Sequence, residues 1–182
     1  MAKHEQKGCL DMYRWLVLAS LLALPTTAVA AERAVGHWVY DTAAPKYVYA
    51  ATVNDSGHVF GQYCDLKGMC HWMLVLDMPC RDGAKYAAIA KSNARVTPLE
   101  VTCTGRLGSA LYRFVFNDFD KVAALVSKAP NSSEVGFAIA LNDGEFRAVR
   151  FSLLGAAPAI ASMTSEGSER LKRTPSAKRQ PL

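Results

Sequence analysis

The sequence predicts a mainly β protein, an antiparallel β-sandwich or barrel with one or two short helices, stapled by two disulfides. Three observations predict it. Short segments rich in Val, Tyr, Phe and Trp recur through residues 35–154 with Gly, Asn and Asp clusters between them, the spacing of strands joined by tight turns. Within those segments apolar residues alternate with a period of two. Four cysteines, Cys64, Cys70, Cys80 and Cys103, lie in the same stretch.

The chain has 182 residues, 51% of them hydrophobic and 20% charged, which suits a single globular domain. Its first 30 residues read as a signal peptide: Arg14, an apolar run over 15–24, Pro25, and the small residues Ala28-Val29-Ala30 before Ala31. Cleavage is expected between Ala30 and Ala31. The apolar run is half of the roughly 20 residues that a membrane-spanning helix needs, so a transmembrane anchor is not expected. The stretch before Arg14 is long and partly acidic, as if translation started at Met12. Residues 31–164 form the expected β-rich domain, and 165–182, rich in Ser, Pro, Lys and Arg, read as a disordered basic tail.

Export leaves Cys9 behind and delivers an even number of cysteines to an oxidising compartment, periplasmic or secreted, where disulfides are the default. Cys64 and Cys70 flank a five-residue hairpin loop, which brings them to bonding distance and leaves Cys80 for Cys103. No Cys-Xaa2-Cys pair points to zinc.

The elements follow in order. Segments 35–40, 46–53 and 58–64 read as strands, the last two joined by Asn54-Asp55-Ser56-Gly57. Residues 69–78 are apolar on both alternating faces, the pattern of a central strand. Pro79 ends it, Arg81-Asp82-Gly83 turns the chain, and 85–91 and 99–104 continue the β series. In 110–116 Tyr112, Phe114 and Phe116 share one face, expected inward. The period then switches to three and four: Asn117 or Asp118 caps a helix carrying Phe119, Val122, Ala123 and Val126, which stops before Pro130. Strands return at 134–141, with Val135, Phe137 and Ile139 on one face, and at 145–154 after Asn142-Asp143-Gly144. A short helix is expected over 156–163, starting near Pro158.

Net charge is +5, yet residues 31–164 hold 13 basic and 12 acidic side chains. A nucleic-acid partner is therefore not expected, and the tail is the place for contact with anionic surfaces. The chemistry-bearing motifs are sparse. There is no Gly-Xaa-Ser-Xaa-Gly, no glycine-rich phosphate loop and no His-Glu-Xaa-Xaa-His, and no motif calls for a cofactor or metal. Asp118 with Asp120 and Asp143 with Glu145 fit capping and turn roles. His71 and Asp77 share a face of the central strand but stand roughly 20 Å apart along it. A hydrolase reading would need His71, His58 and a carboxylate such as Asp65 to converge in the fold.

Two resemblances bear on function. The segment Glu134-Val135-Gly136-Phe137-Ala138-Ile139-Ala140-Leu141, the turn Asn142-Asp143-Gly144, and a strand closing on Phe151-Ser152-Leu153-Leu154-Gly155 before Ala-rich residues 156–160 resemble the end of the invasion-associated locus B family of exported proteobacterial proteins. That resemblance implies a β-sandwich without catalytic residues and, in some pathogens, a role in host-cell entry. Asp82-Gly83-Ala84-Lys85-Tyr86 is similar to the loop with which one group of periplasmic lysozyme inhibitors plugs its target, with Asp82 in place of a serine. It makes Asp82, Gly83, Lys85 and Tyr86 a candidate binding loop. The function expected is thus non-enzymatic binding of an envelope or host partner, with lysozyme inhibition and a His/carboxylate hydrolase as alternatives.

Overall fold

The computed structural model describes residues 32–92, 95–129, 133–141 and 144–173. Residues 1–31, with the expected signal peptide and its expected cleavage site at Ala30 and Ala31, and residues 174–182 lie outside the described residues.

Ten strands form one antiparallel sheet: β1 (Arg33–Val35), β2 (Trp38–Asp41), β3 (Tyr47–Val53), β4 (Val59–Asp65), β5 (Cys70–Leu76), β6 (Lys85–Ser92), β7 (Arg95–Leu107), β8 (Leu111–Phe116), β9 (Glu134–Ala140) and β10 (Phe146–Ser152). The order across the sheet is β1-β2-β3-β4-β5-β8-β7-β6-β9-β10. Helix α1 (Phe119–Ser127) follows β8, and α2 (Ala156–Arg173) ends the described chain. The expected central strand is central, with Trp72, Leu74 and Leu76 on the core side and Val75 buried on the other. Its N-terminal half differs, since His71 is exposed.

The sheet curls until β10 and the residues after it meet the β1–β2 turn, β2 and the end of β3. Trp38 Nε1 donates to the Ser152 carbonyl at 2.8 Å, Asn54 Nδ2 to the Arg150 carbonyl at 3.1 Å, and His37 N to the Leu154 carbonyl at 2.9 Å. The Trp38 and Asn54 side chains thus occupy backbone acceptors of the β10 edge that would otherwise recruit another strand. Inside the curl Phe60 lies 4.9 to 6.2 Å, centroid to centroid, from Trp38, Trp72, Phe116, Phe137 and Phe151. One ring from β4 therefore touches β2, β5, β8, β9 and β10, and burial of these aromatics dominates the core. The helices cover the remaining core surface: α2 packs on β2 and β3, and Phe119 of α1 lies against Trp72.

Three expectations need correction. Residues 35–40 are not one strand, because Gly36, at φ +60°, turns the chain between β1 and β2. The segment 99–104 is part of a longer strand; β7 spans 13 residues and is bent by a register shift between Cys103 and Arg106, where Gly105 takes φ +89°. The last helix runs well past residue 164, to Arg173. Its extension is held by a paired ion bridge, Arg33 Nη1 and Nη2 to the Glu166 carboxylate at 2.9 and 2.5 Å. Tyr40 Oη adds a bond to Glu166 at 3.2 Å, and Gly167 lets the helix settle on Val48. A composition that reads as solvated thus hides a docked helix.

Both disulfides are formed, Cys64 to Cys70 and Cys80 to Cys103. No described helix is long and apolar enough to cross a membrane.

Candidate functional site

The residues of the hydrolase reading do not converge. Asp65 and His71 sit at the Cys64–Cys70 end of the β4–β5 hairpin and His58 at the other, roughly 23 Å away for seven residues of extended chain. His58 instead finds Asp77. Register carries the pairing Cys64↔Cys70 back to Val59↔Val75, which leaves His58 beside the end of β5. His58 Nε2 lies 2.9 Å from Asp77 Oδ1, and Arg147 Nη2 from β10 approaches the same oxygen at 3.5 Å. The cluster adjoins a cleft of about 740 Å³ lined by His37, Asn54, His58, Arg147 and Arg150.

An ionised carboxylate only accepts, so Nε2 of His58 carries the proton of this bond. Nδ1 is then the nitrogen left to act as a base. It is buried and has no hydrogen-bond partner, whereas a general base must reach its substrate's proton. Asn54 fixes the turn that carries His58, its Oδ1 accepting the backbone amides of His58 and Ser56 at 3.0 and 3.1 Å. The arrangement clasps the β3–β4 turn to the end of β5 and to β10.

A second constellation faces outward. Tyr47 and Tyr49 alternate on the outer face of β3, and Tyr63 lies opposite Tyr49 on β4. Tyr49 and Tyr63 stack at 5.5 Å, and Tyr47 meets each at 6.0 Å. Tyr49 Oη bonds the Glu32 carboxylate. Burial, and then the neighbouring Tyr47 and Glu32, push the Tyr63 phenol up to about 12. Burial and the bond to Glu32 push Tyr49 up as well. Tyr47 itself stays 44% exposed.

The hairpin tip adjoins this face, since Tyr47 pairs with Asp65. Asp65 Oδ1 accepts the Met69 and Lys67 amides at 2.9 and 2.8 Å. These bonds, that from Met69 foremost, hold its carboxyl below the usual range. Gly68, at φ +86°, closes the turn, and the Cys64–Cys70 bond locks its base. The tip so braced leaves Leu66 and Met69 in solvent, Met69 60% exposed. The sequence carried the signal in the period-two spacing of Tyr47 and Tyr49, but joining Tyr63 and Met69 to them required the register.

The candidate loop at 82–86 is differently disposed. Gly83, at φ +76°, makes the turn and donates to the Cys103 carbonyl at 2.9 Å. Asp82 is exposed, but Lys85 pairs with Glu100 at 3.1 Å. Tyr86 points inward, 8% exposed, with its ring 5.9 Å from Phe114. The tyrosine of the motif is therefore a core residue, unavailable to enter a cleft. Among the described residues no group of three or more His, Cys, Asp and Glu is placed to hold a metal.

No family model matches the sequence, and no curated protein matches it. Among solved structures the fold is similar to the crystal structure of invasion associated protein B from Bartonella henselae, with a TM-score of 0.51 at 12% identity, covering 74% of this chain and 96% of that one. The likeness spans far more than the C-terminal segment that carries the sequence resemblance. At this identity it speaks to fold.

Proposed function

We propose that this protein is an exported, disulfide-braced β-domain that acts by binding a protein partner in the bacterial envelope or on a host cell. The observation that carries the reading is the outward cluster of Tyr47, Tyr49 and Tyr63 beside the hairpin tip that exposes Leu66 and Met69. Tyrosine offers a large contact area for little loss of side-chain freedom, and methionine adapts to irregular partners. A tip already fixed by a disulfide and by the Asp65 bonds loses little entropy on docking. The two disulfides fit an oxidising compartment outside the cytoplasm. The inward-turned Nδ1 of His58 supports binding over hydrolysis. The Bartonella protein of similar fold is named for an association with invasion, so host-cell surfaces stand beside the envelope as the place to look.

The test is binding of purified, fluorescently labelled protein to host-cell monolayers and to isolated envelopes, beside a Tyr47→Ser/Leu66→Ser/Met69→Ser variant with an unchanged near-ultraviolet circular dichroism spectrum. Saturable binding to one of the two surfaces, lost in the variant, is expected. Absence of saturable binding to both, or equal binding by the variant, would overturn the reading.

A further inference from the structure

The near balance of charge in residues 31–164 hides a local imbalance. Arg95 at the start of β7, Lys121 on α1 and Lys128 at the C-cap of that helix line one groove of about 600 Å³ with Ser92, Thr97 and Leu125. Two periodicities build it. Arg95 pairs with the buried Ser92 and Thr97 with the buried Ala90, so Arg95 and Thr97 stand on the core-facing side of the β6–β7 hairpin. Lys121 and Leu125 of α1 and its C-cap residue Lys128 are spaced by four and three, the spacing of one helix face. The helix thus lays two ammonium groups over the end of a strand pair whose inner face, elsewhere filled by Ala88, Ala90, Leu99 and Val101, here carries a guanidinium and two hydroxyls.

None of the side chains lining the groove is acidic. Asp118 holds Lys121 at 3.1 Å from the start of the helix. Arg95 and Lys128 form no ion pair among the described residues. Lys128 lies at the C-terminal end of α1, where a cation also favours the helix dipole. That accounts for Lys128 but not for Arg95 or for the two hydroxyls beside it.

We infer that this groove binds a phosphate group. Three cations around hydroxyl donors match a tetrahedral anion: arginine supplies a two-pronged contact, lysine a point charge, and Ser92 and Thr97 add hydroxyl donors. The apolar floor at Leu125 accommodates the carbon portion of a phosphate ester. A phosphorylated small molecule and the headgroup of an anionic phospholipid present the same chemistry. The site lies apart from the tyrosine face, and it places electrostatic recognition in the folded body, where the sequence had pointed to the tail.

The test uses two probes on the full chain, inorganic pyrophosphate by titration calorimetry and phosphatidylglycerol/phosphatidylcholine vesicles by co-sedimentation. Three variants accompany the wild type: Arg95→Ala/Lys128→Ala, Lys128→Gln as a milder change, and Lys178→Ala/Arg179→Ala in the tail. Saturable binding of pyrophosphate points to a soluble ester, and binding of vesicles alone to a headgroup. In either arm the double groove variant should bind at least about tenfold more weakly, Lys128→Gln by a smaller factor, and the tail variant like wild type. Amide resonances of Thr97 and Ala124 should shift on titration. Saturable binding of neither probe, or equal binding by the double groove variant, would overturn the inference. The tyrosine-face variant should bind phosphate as wild type does, so failure of one proposal leaves the other standing.

Discussion

Gly36 and Gly155 pack backbone against backbone, joining the β1–β2 turn to the start of α2. A Cβ built on Gly155 would lie 1.8 Å from the Val35 carbonyl oxygen, and one on Gly36 would lie 2.6 Å from the Leu154 carbonyl oxygen. Both residues also occupy positive φ, +60° and +89°. The contact explains physically why Phe151-Ser152-Leu153-Leu154-Gly155 ends as it does: the strand must turn into α2 where the first strands press against it. Gly155→Ala should destabilise the fold by about 3 kcal/mol or more, since neither backbone can yield without breaking the His37–Leu154 bond. Gly57→Ala, at φ +76° but with open space around it, should cost only about 1 kcal/mol. Urea denaturation of the two variants checks the contrast.

The His58–Asp77 clasp predicts a coupling that catalysis would not require. Asp77→Ala removes the bond to a buried ring whose other nitrogen is already unpartnered, at a cost of about 1–3 kcal/mol. His58→Gln keeps a donor and should cost less. A double-mutant cycle across His58 and Asp77 should return a favourable coupling; additivity of the two changes would contradict the clasp.

The disulfides differ in the loops they close, with sequence separations of 6 for Cys64–Cys70 and 23 for Cys80–Cys103. On chain-entropy grounds, replacing the second pair by alanine should cost about 3.5 kcal/mol and the first about 2.4 kcal/mol. Removing Cys64–Cys70 should, in addition, loosen the tip bearing Leu66 and Met69. Equilibrium unfolding of the paired alanine variants gives the order, and faster hydrogen exchange of the Lys67 and Met69 amides should accompany loss of the first bond.

The tyrosine face gives a pH signature. Tyr63 is held protonated to about 12, above the ordinary value of about 10. Its contribution to stability is therefore full below about pH 10 and is lost as pH rises through about 12. Asp65 behaves oppositely: its lowered carboxyl supports the hairpin above the usual carboxylate range, and that support is lost as pH falls through the folded value. Absorbance titration at the tyrosinate band should show a late-ionising fraction that shrinks in Tyr63→Phe. Ionisation of all tyrosines in one step near pH 10 would contradict the stacked arrangement.

Much of the fold was legible because its cues are local. Alternation, the Asn54 to Gly57 turn and the inward aromatics Phe114 and Phe116 depend on nearest neighbours and survive into the structure. What stayed hidden depends on pairing between distant segments. Residues 165–173 look solvated until Glu166 meets Arg33 and Gly167 meets Val48. The clasp was one step away, since the disulfide pairing fixes the hairpin register that brings His58 to Asp77. A short motif does not reveal which face of a strand the tyrosine at 86 takes; its alternation with the buried Ala88 and Ala90 sends Tyr86 inward. The basic groove needs α1 and β7 together, and overall charge counting averages it away.

The proposed function resides in the outer tyrosine face and hairpin tip rather than in the histidine cluster. The most direct measurement is the binding isotherm of three proteins on the same host-cell or envelope surface: wild type, Tyr47→Ser/Met69→Ser, and His58→Gln. A dissociation constant raised at least about tenfold in the first variant and unchanged in the second is the predicted result, the order expected for exposed aromatic and methionine contacts at a binding centre. Unchanged affinity for Tyr47→Ser/Met69→Ser, with loss of function in a folded His58→Gln protein, would contradict the account.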